Sequence, residues 1–383
     1  MNSPLHILTV IGARPQIIKA SAISRAVSGP FAGRIVETLL HTGQHYDANM
    51  SQVFFDELGI PRPGIDLAVG SGSHAVQTAR MLEGIERAIL ELKPDVVLLY
   101  GDTNSTLAGA IAASKLHVPV AHVEAGLRSF NKAMPEEVNR IVCDHTSTWL
   151  FCPTPTAVVN LEREGFARGT SKVASADFPH VVLSGDVMYD NSMYFAEVAS
   201  QRSGGVRREL GLEQDGFVLA TVHRDGNTDI PERLSVIVEA LLDLQVDHGL
   251  PVVLPLHPRT RKRLEELPDP ALRQRMKNSR GFHVVPPAGF LDMVDLEQHA
   301  RLVVTDSGGV QKEAFFFGRP VVVLRPETEW VELVEYGQAI LADADPVRIR
   351  AAVDQFMHHP LPKTPALYGD GRAAEHICQA LLG

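Results

Sequence analysis

The sequence predicts an α/β protein made of two doubly wound, parallel-sheet domains facing a cleft. Three observations carry this expectation. Ten short apolar runs recur along the chain, amphipathic patterns separate them, and polar turns that carry the most informative residues follow them. The runs are Leu5–Val10, Ile35–Leu40, Asp95–Tyr100, Pro119–His122 and Val181–Ser184, then Phe217–Val222, Pro251–Leu256, Phe282–Val285, Leu302–Thr305 and Pro320–Leu324. They are too short for helices and rich in Val, Ile and Leu, as strands buried on both faces are. Between them, a segment such as Ala75–Leu92 repeats Val76, Ala79, Leu82, Ile85, Ile89 and Leu92 at three- and four-residue steps. That spacing gives a helix one apolar face. Strand–helix alternation of this kind builds Rossmann-like sheets with helices on both sides.

Ten strands are many for one open sheet, and 383 residues suggest two to three domains. A first domain is expected over 1–183 and a second over 184–366, with a C-terminal helix in 367–383 packing back on the first. The stretch Ala167–Pro179 is rich in Ser, Ala and Gly, lacks a clean period, and reads as a loop before the join.

Composition narrows the function. Lys and Arg number 36 against 46 Asp and Glu, a net charge of −10, which argues against a nucleic-acid binder. Any anionic ligand must meet a local basic site. Three scattered cysteines, Cys143, Cys152 and Cys378, with no CxxC pair, argue against a disulfide framework or zinc ribbon. No run approaches the roughly 18 apolar residues of a membrane helix, and the N-terminus reads as a buried strand. A cytoplasmic enzyme is expected.

In doubly wound sheets ligands bind beyond the C-terminal strand ends. After the first run comes Gly12-Ala13-Arg14-Pro15-Gln16, with one glycine, so the GxGxxG dinucleotide fingerprint is absent. Arg14 and Lys19, at a strand–helix turn, suit a phosphate or carboxylate, or are surface cations. After Asp95–Tyr100 comes Gly101-Asp102-Thr103-Asn104-Ser105. Asp102 is either the N-cap of the next helix or a functional carboxylate, since its three successors are also capping types. Glu124 follows Pro119–His122, and Glu136 and Glu137 follow Pro135 in a helical first turn, where the helix dipole alone favours acids. Should Asp102, Glu124 and Glu136 converge, their proton affinities would separate into acid and base roles.

The second half repeats the pattern. Phe217–Val222 ends in His223-Arg224-Asp225-Gly226-Asn227, and His257 holds a similar strand-end place. A metal site is not expected, because no HxxxH or His/Cys cluster accompanies these histidines. Thr305-Asp306-Ser307-Gly308-Gly309 opens a helix after a strand. Gly308 and Gly309 leave backbone N–H groups open to an anion, Ser307 adds a hydroxyl, and Glu313 suits a sugar diol. An ordinary glycine-rich turn is the plain alternative.

The motifs GARPQIIKA, HTGQHYD, GDTNSTLAGA, HVEAGLRS, PEEVNR, HR…N and DSGGVQKEA, with TEW beyond, occur in that order. On them the chain resembles the non-hydrolysing UDP-N-acetylglucosamine 2-epimerases from end to end. The resemblance implies a GT-B-like pair of domains, a cytoplasmic homodimer, no metal or nicotinamide cofactor, and a UDP-sugar substrate. It implies catalysis by Asp102, Glu124, Glu136 and His223. Arg14, Lys19, Arg140, Asn227, His257, Ser307, Gly308, Gly309 and Glu313 would hold the substrate. The implied reaction is elimination of UDP through a 2-acetamidoglucal-like alkene, followed by re-addition, for surface polysaccharide precursors.

Three departures from the family wording stand out. The segment HRREN reads His223-Arg224-Asp225-Gly226-Asn227 here, and TERPE reads Thr328-Glu329-Trp330-Val331-Glu332. Gln44 is kept, but Asp47 replaces the Gln with which some members bind a second UDP-GlcNAc, so that form of allostery is not expected. The wording around RSFNKAMPEE and ETEWVELVE looks closer to a subgroup acting on UDP-2,3-diacetamido-2,3-dideoxy-glucuronate. A GT-B glycosyltransferase is the alternative of another class. The three carboxylates weigh against it, since an inverting transferase usually needs one base.

Overall fold

A computed structural model describes residues 3–44, 55, 59, 61–167 and 173–383. Asp47 and part of the expected 167–179 loop lie outside the described residues. The chain forms two compact units, Met1–Asn191 with Ala366–Gly383, and Ser192–Pro365.

The first unit is built on a seven-stranded parallel sheet. Its strands are β1 (Leu5–Ile11), β2 (Ile35–His41), β3 (Ile65–Asp66), β4 (Val96–Tyr100), β5 (Val120–Val123), β6 (Trp149–Cys152) and β7 (His180–Leu183). Their order is β3-β2-β1-β4-β5-β6-β7. Order reverses between β1 and β4, where Ile7 pairs with Val96 and Thr9 with Leu98. The central strands are apolar throughout because helices cover both faces; Val96–Tyr100 is buried at every position.

The second unit carries β8 (Val218–Thr221), β9 (Val252–Pro255), β10 (Phe282–Val285), β11 (Leu302–Thr305), β12 (Val321–Val323) and β13 (Ala339–Leu341). The order β10-β9-β8-β11-β12-β13 repeats the same winding, with its reversal between β8 and β11. Val218, Leu254, Leu302 and Val322 anchor one continuous core beneath the helices Pro231–His248 and Pro346–His358.

Thirteen strands are present among the described residues, against ten expected runs. The additional ones are β3, β6 and β13, of two, four and three residues. Runs that short carry almost no periodic signal. The expected helix at Ala75–Leu92 is observed at His74–Leu92, capped by the Ser73 hydroxyl. Its buried face is turned from the expected one, however. Gln77, Met81, Ile85, Ala88 and Ile89 are buried, while Val76 is 47% exposed. Gly84 lies on that buried face, where its bare α-carbon lets Leu67 seat against the helix. The C-terminal helix Ala373–Leu382 packs on the helix Arg14–Ser28 within the first unit. Asp190 fixes its start, accepting from the Ala373 and Ala374 N–H groups at 3.0 and 2.8 Å.

Candidate active site

Each unit concentrates its informative residues beyond its own switch point. In the first unit the floor is the β1–helix turn. Gly12 lies against Thr42 and Ser105, where any side chain would collide. Gln16 Oε1 accepts from the Gly12 and Ala13 N–H groups at 2.9 and 3.2 Å, while its amide donates to the Tyr100 carbonyl at 2.9 Å. The turn after β1 is thereby tied to the end of β4. Arg14 opens the helix Arg14–Ser28 and is exposed.

Asp102 follows β4 and does not cap the next helix. Thr103 does so, its hydroxyl accepting from Thr106 N–H at 3.3 Å. The Asp102 carboxylate instead receives Arg140 Nη2, and Asn139 donates to the Asp102 carbonyl at 2.8 Å. Glu124 follows β5 and receives Lys19 Nζ. Its φ of +72° is a left-handed conformation that costs a residue with a Cβ about 1–2 kcal/mol. Such strain persists only where its surroundings fix it, commonly at functional sites. Gly101 lies between the two carboxylates. A Cβ there would stand 3.2 Å from Glu124 Oε2 and 3.4 Å from Lys19 Nζ.

Below them sits a buried pair that the sequence did not single out. His122 Nδ1 donates to Asp144 at 2.7 Å and Nε2 to the Gly101 carbonyl at 2.8 Å. Burial opposes charge on this ring, but Cys143 and Asp144 outweigh it and hold the His122 pKa well above its ordinary value. The imidazolium therefore pins Gly101, and with it Asp102. Asp144 also takes Arg128 Nη1 at 2.7 Å and the Gly126 N–H at 3.1 Å.

Glu136 is exposed in the first turn of Pro135–Thr146, whereas its neighbour Glu137 is buried and bonded to Arg140 Nη1 at 2.8 Å. Asp102 thus pairs with Arg140 and Glu124 with Lys19, and the Gly101 backbone between Tyr100 and Asp102 lies against the second pair. No hydrogen bond of the described residues joins Glu136 to either pair.

In the second unit the organiser is Asp306, fully buried after β11. Its carboxylate accepts from the His223 N–H at 3.1 Å, the Arg224 N–H at 3.1 Å and Asn227 Nδ2 at 3.0 Å. His223 Nδ1 lies 3.1 Å from it. Burial works against the charge of Asp306, but the His223 ring, Asn227 and the Arg224 N–H hold its pKa below the usual carboxylate range. With Nδ1 turned to Asp306, the Nε2 of this half-exposed ring is left for a ligand. Sequence reasoning passed over Asp306 because it sits inside the glycine motif and reads as an ordinary strand-end acid.

Ser307 caps the helix Gly308–Phe316, its Oγ accepting from Val310 N–H at 3.4 Å, which leaves the hydroxyl proton to donate. Trp330 Nε1 bonds the Gly308 carbonyl at 2.8 Å, and a side chain at Gly308 would meet Glu329. Lys312 stacks on the Trp330 ring at 4.4 Å. Trp330 therefore supports the glycine turn from behind. Glu313 lies on the same helix near Glu297. The Glu297 oxygens are buried with no hydrogen-bond partner among the described residues. Burial, reinforced by Glu313, pushes the Glu297 carboxyl well above its usual range. No hydrogen bond of the described residues joins His257 to the Asp306 cluster. His257 is exposed and caps the helix Pro258–Glu265, its Nδ1 accepting from Arg259 N–H at 3.4 Å. Among the described residues no group of three or more His, Cys, Asp or Glu is arranged to hold a metal ion. No helix among them is long and apolar enough to cross a membrane.

Comparison with known proteins shows the family and the fold. The UDP-N-acetylglucosamine 2-epimerase family profile matches residues 32–382. The UDP-2,3-diacetamido-2,3-dideoxy-D-glucuronate 2-epimerase of Pseudomonas aeruginosa is 50% identical over 378 residues, 98% of this chain and 99% of that protein. The UDP-N-acetylglucosamine 2-epimerase of Methanocaldococcus jannaschii is 39% identical over 375 residues, 97% of each chain. A crystal structure of that epimerase in complex with UDP-GlcNAc and UDP covers 98% of this chain and 99% of its own, with a TM-score of 0.81 and 38% identity. With a family match across nine-tenths of its length and the GT-B-like fold of those structures, the chain belongs to the UDP-N-acetylglucosamine 2-epimerase family.

Proposed function

We propose that this protein inverts C2 of a UDP-2-acetamido sugar, interconverting UDP-GlcNAc and UDP-ManNAc without hydrolysis. The observation that carries this reading is the pair of strand-end carboxylates flanking Gly101, Asp102 on Arg140 and Glu124 on Lys19. The C2 proton of an acetamido sugar is not α to a carbonyl, so direct deprotonation is prohibitively slow. Coupling it to loss of a leaving group makes it feasible. A carboxylate takes the C2 proton, the C–H electrons become the C1=C2 bond, and the C1–O bond breaks with its electrons leaving on UDP. A carboxylic acid then protonates C2 from the opposite face while UDP adds back to C1. Asp102, Glu124 and Glu136 are the proposed proton carriers.

The leaving diphosphate needs positive potential in a water-poor site. Arg14 and Lys19 offer cations. The Gly308 and Gly309 N–H groups, the Ser307 hydroxyl and His223 Nε2 offer donors, and Asn227 shapes their turn through Asp306. Glu313 is the proposed acceptor for the ribose diol, and His257 the least supported contact.

A second reading of the sugar is favoured by the 50% identity with the P. aeruginosa enzyme. It makes UDP-2,3-diacetamido-2,3-dideoxy-glucuronate the substrate of the same mechanism. Action in the cytoplasm as a homodimer making surface polysaccharide precursors completes the proposal. Incubation of each UDP-sugar in deuterated water is the test. Deuterium should enter C2 of both epimers of the true substrate, and its absence with every UDP-2-acetamido sugar tried would sink the reading.

A further inference from the structure

Glu137 does more than its place in a helical first turn suggests. It is 1% exposed, yet its carboxylate is fully engaged. Oε1 accepts from the Phe130 N–H at 2.9 Å; Oε2 accepts from the Ser129 N–H at 3.0 Å and from Arg140 Nη1 at 2.8 Å. The other terminal nitrogen of Arg140 holds Asp102. One carboxylate therefore joins a surface turn to the guanidinium that grips a proposed proton carrier.

Packing does not hold that turn. Phe130 is 73% exposed and sits at φ +56°, a conformation that residues with a Cβ rarely adopt. The charge-assisted bonds that the Ser129 and Phe130 N–H groups donate to Glu137 are its strongest ties, beside a weaker one from Asn131 N–H to Ser129 Oγ at 3.4 Å. The electrostatics have the same origin. Burial opposes ionisation of Glu137, but the Ser129 and Phe130 N–H groups and Arg140 hold its pKa below the ordinary value, so it is charged at neutral pH. The charged and titratable groups facing this cluster are Arg140, which also holds Asp102, and Arg128, Lys132, His145 and Glu164, which line one cavity with Glu137. The single positive charge of Arg140 is thus divided between two carboxylates.

Resting on the epimerase reading, we propose that Glu137 is a positioning residue for this reaction: it fixes the Ser129–Phe130 turn and, by holding one end of Arg140, sets the guanidinium that grips Asp102.

The test uses the full chain with Glu137→Gln, which keeps the shape and removes the charge, and Glu137→Asp, which keeps the charge on a shorter stem. Glu137→Gln should lower kcat for C2 exchange on the order of 10- to 100-fold, with KM held within about threefold. The acidic limb of the pH–rate profile should move to lower pH, because a negative charge is removed beside the proposed proton carriers. Glu137→Asp should return that limb toward its original position. Without any ligand, the Ser129 and Phe130 amides should exchange with deuterated water faster in Glu137→Gln. An unmoved limb, unchanged amide exchange, or equal losses in the two variants would overturn the proposal. Should Glu137→Gln not fold, Glu137→Asp decides alone: faster amide exchange with the limb in place supports the assignment, and neither change rejects it. A wild-type chain without C2 exchange would instead reject the epimerase reading. The ligand-free amide measurement would then judge the hold of Glu137 on the turn by itself.

Discussion

The two units share one winding order and use their switch points in opposite ways. Beyond β4 and β5 the first unit presents carboxylates, each held by a cation: Asp102 by Arg140 and Glu124 by Lys19. Beyond β8 and β11 the second unit buries its carboxylate. Asp306 spends its charge on two backbone N–H groups, Asn227 and the His223 ring. What faces outward there is a set of donors. A base must keep a lone pair available to a substrate, whereas an anion site needs fixed N–H groups. The same topology serves both because only the turns differ.

Substitution at the cation-held carboxylates should break this division most severely. Asp102→Asn or Glu124→Gln should cut C2 exchange by roughly 10²- to 10⁴-fold, while UDP affinity measured by calorimetry changes little. A large loss of UDP binding would show that the first unit's acids build the nucleotide site. Next in size is Asp306→Asn. Losing a buried charge that several donors share costs about 1.5–3 kcal/mol per charged hydrogen bond. UDP affinity should therefore fall by on the order of tenfold, with a loss of turnover as His223 is freed. Unaltered UDP binding would remove Asp306 from its organising role. Smaller again is Gly308→Ala. The added methyl crowds the end of Glu329, a side chain paired with Arg325 at 2.7 Å, and reaches Trp330 Nε1 at an ordinary 3.6 Å, so the fold should survive. UDP binding should weaken by about tenfold or less, measured in the same titration, and a lowered Tm with intact affinity would make the turn structural.

The smallest expected effect concerns how the first unit is closed. Burial raises the Asp190 carboxyl to about 6, with the Ala374 and Ala373 N–H groups pulling the other way and Asp186 adding to the rise. The folded pKa lies above the unfolded one, so folding favours the protonated form. Stability from this group is present at low pH and is lost as pH rises from about 4 through about 6. Melting at pH 5 and pH 7.5 should differ by a few degrees on this account, and Asp190→Asn should flatten the difference. An unchanged slope in that variant would assign the pH dependence elsewhere.

Much of the site was legible in the sequence because strand-end turns carry it. Asp102, Glu124, His223 and the Ser307-Gly308-Gly309 turn all follow recognisable apolar runs. Their partners were less legible. Arg140 entered only through the family resemblance. The His122–Asp144 pair did not enter, since a buried ion pair spanning 22 positions leaves no local pattern, and Asp306 was read only as part of the glycine motif. The choice between Glu136 and Glu137 was also invisible. Both acids suit a helix N-terminus, and only the rotation of Pro135–Thr146 turns one inward.

The sequence alone determined the two sheets, the turns that bear the chemistry, and the family. Those depend on local periodicity, on glycine where a Cβ cannot fit, and on motif order. Tertiary structure decided which acid is held by which cation and which acid is buried. It also placed Glu124 in a left-handed conformation and let Thr103 rather than Asp102 cap its helix. Pairing and strain arise where distant segments compete for the same space and the same charge, and no single window of sequence contains that competition.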